Sequence, residues 1–452
     1  MSFFQFTSLV LVLPIIRVLY KCWRKNELSM FDLLLLFTCF QFAILPLLNM
    51  AEVSYNIAIS STVFFILFVF EYGLLVVAFC WDKLYSSSNS IINITRYLKT
   101  IRSLTISKSG YVLIIFLLIS VLVIYMPYAA LSVRIDSASQ VLAQDYVLKT
   151  TIAILASVMS LIMTILSIKV IFQFKKKRFK LVDIVFFVSS LIICAFFPRR
   201  FFLQNILFFF LIFYSVCRNK ISIRYIFIFF ISALFLFQVY FPFYDVIRSG
   251  SIHINSEEPI ASLYEAVIYG LDHKSEFKRS KKSAQKRTIG LYDALYNLQK
   301  AEYELQYGEL ILSEIDVAIP KVLNPNKGIG SEKKLESMTG KYVDIADSIL
   351  LEACGDFGLL GSVVAIFLYV LILGVYSLYR KILCLFGGYE ILSIFILYEL
   401  FSICWNVEGC LAGTLSWFFS SFVWIIVLFF CSKYRIIFVK RNSLMNLFFK
   451  NS

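Results

Sequence analysis

Charge is scarce in this chain. Only 16% of its 452 residues are Asp, Glu, Lys or Arg, histidine occurs twice and proline eight times, whereas 60% of residues are apolar and 17% aromatic. With a mean hydropathy of +0.81, a water-soluble domain of this size could not cover its surface with polar side chains, which excludes a soluble globular enzyme. Several chemical signatures are also missing: GxxxxGK[ST], GxGxxG after a strand, HExxH and GxSxG. Their absence argues against ATP-driven transport, nicotinamide chemistry and zinc proteolysis. The ten cysteines are scattered singly, with no CxxC pair and no Cys/His cluster, so neither a zinc site nor a disulfide framework is expected. No metal and no cofactor is expected. The first residues, MSFFQFTSLV, carry no basic leader and no small-residue cleavage site, and the first apolar run is read as a retained span.

What the chain does have is long apolar runs. Helices of about 16 to 25 apolar residues cross roughly 30 Å of hydrocarbon. Such runs centre near 3–20, 30–48, 56–80, 110–132, 150–172, 182–197, 201–217, 223–241, 356–379, 382–402 and 411–431. The expected fold is an all-α polytopic integral membrane protein with about eleven transmembrane helices (10–12). The sixth run is short and stops at Pro198, so 182–217 reads either as a tight hairpin or as one broken helix pair.

The net charge of +14 on a soluble chain would raise the question of nucleic-acid binding. Its distribution answers that question. Basic clusters follow every second span: Lys21, Arg24 and Lys25; Lys83, Arg96, Lys99, Arg102 and Lys108; Lys175–Arg178 and Lys180; Arg218, Lys220 and Arg224; Arg380 and Lys381; and Lys433, Arg435, Lys440 and Arg441. The alternating connections are poor in Lys and Arg. One parity fits all of them under the positive-inside rule, with the N-terminus outside and the C-terminus inside. The basic excess then meets anionic lipid on the cytoplasmic face, and no nucleic acid is needed as a partner.

One segment departs from this pattern. The expected division is an N-terminal bundle over 1–241, a large external loop over 242–345 between the eighth and ninth spans, a C-terminal bundle over 346–431 and a basic cytoplasmic tail over 432–452. The loop holds about fourteen basic and fifteen acidic residues, close to neutral, and a loop of that length is usually functional. Leu291, Leu295, Leu298 and Leu305 fall on one helical face beside a stripe of Tyr292, Tyr296, Tyr303 and Tyr307. Pro259 ahead of Leu263, Tyr264, Val267, Ile268 and Leu271 suggests a second amphipathic helix. The loop is therefore expected to form a helical cap.

Residues suited to chemistry gather at the same side. Arg199 and Arg200 stand in the Phe-Phe-Pro-Arg-Arg-Phe-Phe turn, where two permanent cations are costly without an anion nearby. They suit phosphate or pyrophosphate oxygens, or else snorkel to headgroup phosphates. Arg248 follows the eighth span, and both histidines, His253 and His273, lie in the loop, where a neutral imidazole can accept a proton from a hydroxyl or can be an ordinary surface group. Glu352 and Asp356 are about one helical turn apart before the ninth span and are expected to share a face, either as a base or as interfacial charge. Glu71 and Glu399 lie inside apolar runs, Glu399 near the external end of the tenth.

At Ile319-Pro320-Lys321 with Pro325 and Lys327, at Glu352-Ala353-Cys354-Gly355-Asp356-Phe357-Gly358 with Gly361, and at the Arg199/Arg200 helix end, the chain resembles the Wzy-type polymerases of bacterial O-antigen and capsule, many-span proteins with one large external loop. The family pattern commonly has Arg after that Ile-Pro, where this chain has Lys321, a point charge and not a bidentate fork. The resemblance implies a glycosyltransferase of the bacterial cytoplasmic membrane that needs no nucleotide sugar and joins undecaprenyl-pyrophosphate-linked oligosaccharide repeat units. It also implies contact with membrane lipids, a chain-length regulator and a flippase. In that frame Arg199, Arg200 and Arg248, helped by Lys321 and Lys327, would hold pyrophosphate. His253, Glu352 or Asp356 would be the base, and Tyr292 and Tyr296 would stack on sugar rings. The alternatives are a ligase that moves finished glycan to another acceptor, and a lipid-linked oligosaccharide flippase.

Overall fold

The computed structural model describes residues 3–24, 28–48, 60–85, 97–98, 101–132, 146–195, 197, 199–217, 290–300, 305–319, 323–328, 330–331, 333–335, 348–385, 390–416, 426–427, 430–431 and 433–441. In chain order the helices are α1 (Phe3–Val12), α2 (Ile15–Arg24), α3 (Met30–Cys39), α4 (Ser61–Tyr85), α5 (Lys108–Ser132), α6 (Tyr146–Lys176), α7 (Leu181–Ala195), α8 (Arg199–Cys217), α9 (290–300), α10 (Glu309–Ala318), α11 (Ile349–Phe357), α12 (Gly361–Leu385) and α13 (Glu390–Trp405). Two strands, β1 (Ile101–Ile106) and β2 (Ile437–Arg441), complete the set.

The chain is mostly helical, as an all-α membrane protein requires. Among the described residues, five helical stretches are long and apolar enough to cross a membrane: Phe4–Cys22, Met30–Leu47, Ser61–Lys83, Ile154–Lys176 and Ile349–Tyr379. Shorter apolar helices occupy Lys108–Ile124, Leu181–Ala195, Phe201–Cys217 and Ser393–Trp405. The tenth expected run sits later than its composition suggested, because α12 continues through Arg380 and Lys381 to Leu385 and α13 begins only at Glu390, beyond Gly387-Gly388. The eighth expected span (223–241) and most of the eleventh (411–431) lie outside the described residues.

The chain divides into two compact units: Met1–Tyr97 with Ser283–Tyr389 and Ile396–Val423, and Leu98–Lys282 with Glu390–Phe395 and Trp424–Ser452. The stretch expected to be one N-terminal bundle is thus shared between them.

In the first unit the packing fixes relative helix directions. The α3 stretch runs against α4, with Thr38 beside Glu71 and the Phe31 ring 4.9 Å from Trp81. The α12 helix runs along α4 in the same sense, with the Ser362 hydroxyl donating to Ile66 O and the Phe70 and Tyr369 rings 6.1 Å apart. From Ile396 onward, α13 packs on α3, where Phe37 meets both Phe401 and Trp405. Finally α1–α2 run with α4, with the Tyr72 hydroxyl donating to Val10 O and Arg17 reaching Asp82.

A charge cluster ties one end of this unit together. Arg17 lies 3.2 Å from Asp32 and 2.5 Å from Asp82, and Lys21 bonds the same two carboxylates. Asp32 is fully buried and also closes a capping box with Ser29 at the start of α3, so the acid that begins the helix also neutralises the two cations. Farther along, α3 passes into a π-helical turn at Phe40–Ile44 before Leu45–Leu48.

The second unit packs around α6, whose Val158, Met159, Ile162, Leu166 and Ile168 are buried. The 182–217 stretch forms an antiparallel hairpin: Phe187 meets Phe209 at 5.2 Å, and Phe197 meets Phe201 at the turn. Asp183, at the start of α7, is buried and accepts from the Tyr111 hydroxyl and the Gln173 amide. An unexpected element joins two basic segments: β1 pairs antiparallel with β2, with a register irregularity between Ile101 and Ser103. Nothing in the sequence reading anticipated a strand in the basic tail. The β-branched runs Ile101–Ile106 and Ile437–Val439 supply the propensity.

Candidate functional site

Three carboxylates organise the segment between α9 and α11. Glu352, near the start of α11, is fully buried, and Glu314 on α10 is 3% exposed. Ser331 joins them: its N–H donates to Glu314 Oε1 at 2.7 Å and its hydroxyl to Glu352 Oε1 at 3.1 Å. At the helical turn that begins at Leu411, the Leu411 N–H lies 3.2 Å from Glu352 Oε2, and the Ala412 N–H donates to Glu314 Oε2 at 3.1 Å. Backbone N–H groups in the first turns at Ser331 and Leu411 thereby meet two carboxylates, an arrangement that stabilises buried negative charge.

Asp356 belongs to the same face of α11, as its spacing from Glu352 predicts. It is fully buried, and it caps a helix from outside: its two carboxylate oxygens accept from the Leu310 and Ile311 N–H groups at 2.9 and 3.0 Å. The Tyr307 N–H donates to its backbone carbonyl. Asp316 in turn holds the loop after α10 through the Asn324 amide and the Gly328 N–H. As general bases, Glu352 and Asp356 would have to meet a substrate hydroxyl. In the structure both accept from backbone N–H groups in the interior, and Glu352 accepts from the Ser331 hydroxyl as well.

Glu314, Glu352 and Cys410 place one ligand atom each within 4.8 Å of one another, the spacing a divalent cation could use. All four carboxylate oxygens already accept hydrogen bonds, so these donors serve the fold first.

The aromatic stripe is only partly continuous. Leu291, Leu295 and Leu298 are buried along α9, as expected, and so is Tyr292. Its hydroxyl donates to Phe42 O at 2.5 Å inside the π-helical turn, and its ring meets Phe4 edge-on at 5.9 Å, which leaves no face for a sugar. Burial, with Glu71 nearby, pushes the Tyr292 phenol above its ordinary range. Tyr296 is half-buried. Leu305 and Tyr307 do not continue the helical face: both are exposed, Tyr307 has φ 49°, and Gly308 follows at φ 101° as the residue before α10. A Tyr-Gly turn in left-handed geometry ends the pattern there.

Arg199 and Arg200 open α8 in the second unit, so their backbone forms the first turn of a 19-residue helix. Lys327 is half-buried and its ammonium donates to Val317 O. Arg248, His253, His273, Tyr303, Lys321 and the expected helix after Pro259 lie outside the described residues.

Comparison with protein-family models, with curated proteins and with solved structures finds no match to this chain.

Two intramembrane acids complete the inventory. Glu71 Oε2 accepts from the Thr38 hydroxyl at 2.9 Å and from Cys39 Sγ at 3.2 Å. Glu71 Oε1 and Glu399 Oε1 are buried without a hydrogen-bond partner among the described residues. Sequence reasoning missed Glu314 and Ser331, which read as ordinary polar residues of a long loop. The one available signal was a carboxylate on the otherwise apolar face Leu310, Glu314, Val317 and Ala318.

Proposed function

We propose that this protein is a polysaccharide polymerase that joins polyprenyl-pyrophosphate-linked oligosaccharide repeat units at the outer face of the bacterial cytoplasmic membrane. The observation that carries the reading is where the described part of the long, charge-balanced segment packs: α9 bonds Phe42 through Tyr292 and α10 is capped by Asp356 of α11, while the basic clusters of the sequence follow the other ends of the apolar runs. A segment at that place suits contact with the head of a lipid-anchored glycan.

In this reaction a hydroxyl oxygen of the incoming repeat unit bonds to the anomeric carbon of the growing chain. The bond from that carbon to the pyrophosphate oxygen breaks, the hydroxyl proton passes to a base, and polyprenyl pyrophosphate leaves. Leaving-group charge is the main demand, and cations fixed at the site meet it. Arg199 and Arg200 suit that role, because guanidinium forks match pyrophosphate oxygens and both stand in the first turn of α8, at the helix end that favours anions. Arg248, Lys321 and Lys327 are supporting cations. His253 is the preferred base, since Glu352 and Asp356 are engaged with backbone N–H groups.

The test is reconstitution. Purified protein in vesicles, given only undecaprenyl-pyrophosphate-linked repeat unit, should release undecaprenyl pyrophosphate and build lipid-linked chains without nucleotide sugar. Transfer of preformed chains to a second acceptor, with no elongation, would favour the ligase reading.

A further inference from the structure

A cavity of about 360 Å³ opens in the first unit between α4, α9 and the α11–α12 junction. Its lining is apolar, with Ile66, Leu295, Leu298, Leu305 and Leu359 dominant, and its size falls in the range of about 300–1,000 Å³ typical of small-ligand sites. Two polar side chains, Thr62 and Gln299, interrupt that lining. The Gln299 Nε2 group is buried and has no hydrogen-bond partner among the described residues. A buried donor left without an acceptor is costly, and an acceptor oxygen on a bound molecule would satisfy it.

The position narrows the ligand. Thr62 and Ile66 lie in the first turns of the Ser61–Lys83 span, and Cys354, Gly358 and Leu359 lie near the start of the Ile349–Tyr379 span, so the cavity sits where these helices enter the apolar layer. From its rim a stripe of exposed apolar side chains, Leu360, Val363, Phe367, Leu371 and Val375, descends one face of α12 at three- and four-residue spacing. A hydrocarbon chain lying along that stripe would enter the cavity without crossing water. No charged side chain lines the cavity among the described residues, which disfavours a phosphate and favours a neutral oxygen.

We propose that this cavity binds one acyl chain of a bilayer glycerophospholipid, with the ester carbonyl accepting a hydrogen bond from Gln299. An ester carbonyl sits where an acyl chain meets the polar layer, which is the juxtaposition the cavity presents: apolar walls with a single buried amide donor at one side. The bound lipid joins α9 to the span ends, and it does so whatever reaction the protein performs.

The experiment uses the full-length protein in vesicles of phosphatidylethanolamine and phosphatidylglycerol that carry a trace of phosphatidylcholine with a diazirine on its acyl chain. After illumination, labelled peptides are mapped by mass spectrometry. Label should concentrate at 295–300 and 354–359 and should fall severalfold in Leu305→Trp, which fills the mouth from a partly exposed position, and in Gln299→Leu, which removes the donor. Label along 363–375 should be unchanged in both variants, which reports that each is folded. Label confined to 363–375 in the unaltered protein, or cavity label indifferent to both substitutions, would overturn the proposal. Loss of cavity label on adding unlabelled polyprenyl phosphate, with 363–375 unaffected, would assign the cavity to an isoprenoid and overturn it equally.

Discussion

Glu314 and Glu352 divide the two donors of one residue between them: the Ser331 N–H goes to Glu314 and the Ser331 hydroxyl to Glu352. Three stretches distant in sequence, α10, α11 and the turn at Leu411, are thereby held by two buried carboxylates. The arrangement gives a sharp expectation for substitution. Glu352→Ala removes the acceptor that the Ser331 hydroxyl and the Leu411 N–H use, at about 1–3 kcal/mol for each buried donor that loses this bond. Glu352→Gln keeps the volume and one acceptor oxygen and should cost less. Thermal unfolding in detergent should rank unaltered protein, Gln and Ala in falling order, with polymer made in proportion to folded protein. A Glu352→Gln protein that is as stable as the parent yet makes no polymer would restore Glu352 to the chemistry.

Asp356 acts on α10 from a different helix. Asp356→Ala removes the acceptor for the Leu310 and Ile311 N–H groups, a loss comparable to that of a helix N-cap, about 0.5–2 kcal/mol. Hydrogen exchange should show faster exchange at 309–318 with little change in α4. Equal acceleration throughout the first unit would mean that the bond supports the whole bundle.

The cluster at the other end of that unit is unequal by design. Asp32 is fully buried between Arg17 and Lys21, whereas the Asp82 side chain is 36% exposed. Asp32→Ala leaves two cations without their interior partner and should cost roughly 3–5 kcal/mol. Asp82→Ala, screened by solvent, should cost about 1 kcal/mol or less. The yield of folded, detergent-soluble protein measures both, and similar losses from the two substitutions would contradict this assignment.

Two glycines that resemble a family signature have a structural explanation. Gly358 has φ 58°, and a Cβ at Gly361 would meet Ala353 O and the Cys354 backbone at 2.4 Å. Since backbone atoms cannot rotate aside, Gly361→Ala should force the α11–α12 junction apart. Gly374, within α12, has open space around its missing Cβ, so Gly374→Ala should be neutral or mildly stabilising. Comparing the unfolding temperatures of the two variants tests this directly.

Much of the helix layout was legible because apolar length and the alternation of Lys and Arg act locally. The positions of α3, α4 and α6 follow from apolar runs visible in the chain. The common face of Glu352 and Asp356 followed from helical spacing. What those acids touch did not, since Glu314 and the Leu411–Ala412 turn come from remote parts of the sequence. Tyr292 illustrates the same limit: its place on an amphipathic helix was readable, but the Phe42 carbonyl that claims its hydroxyl lies in a π-helical turn that no pattern signals. Leu305 and Tyr307 are off their expected face, Tyr307 and Gly308 take left-handed backbone geometry ahead of α10, and that glycine was the available cue. The pairing of β1 with β2 joins residues more than half the chain apart, beyond the reach of any local pattern.

The most direct measurement is an electrophoretic profile of surface polysaccharide from cells that lack the gene, complemented with either the unaltered protein or Arg200→Ala, with membrane levels of both proteins matched. Polymerisation predicts that the long-chain ladder collapses to material bearing a single repeat unit in the deletion strain, returns with the unaltered protein and stays collapsed with Arg200→Ala. A full ladder in the deletion strain, long polymer held on its lipid carrier, or loss of all external repeat units would contradict it.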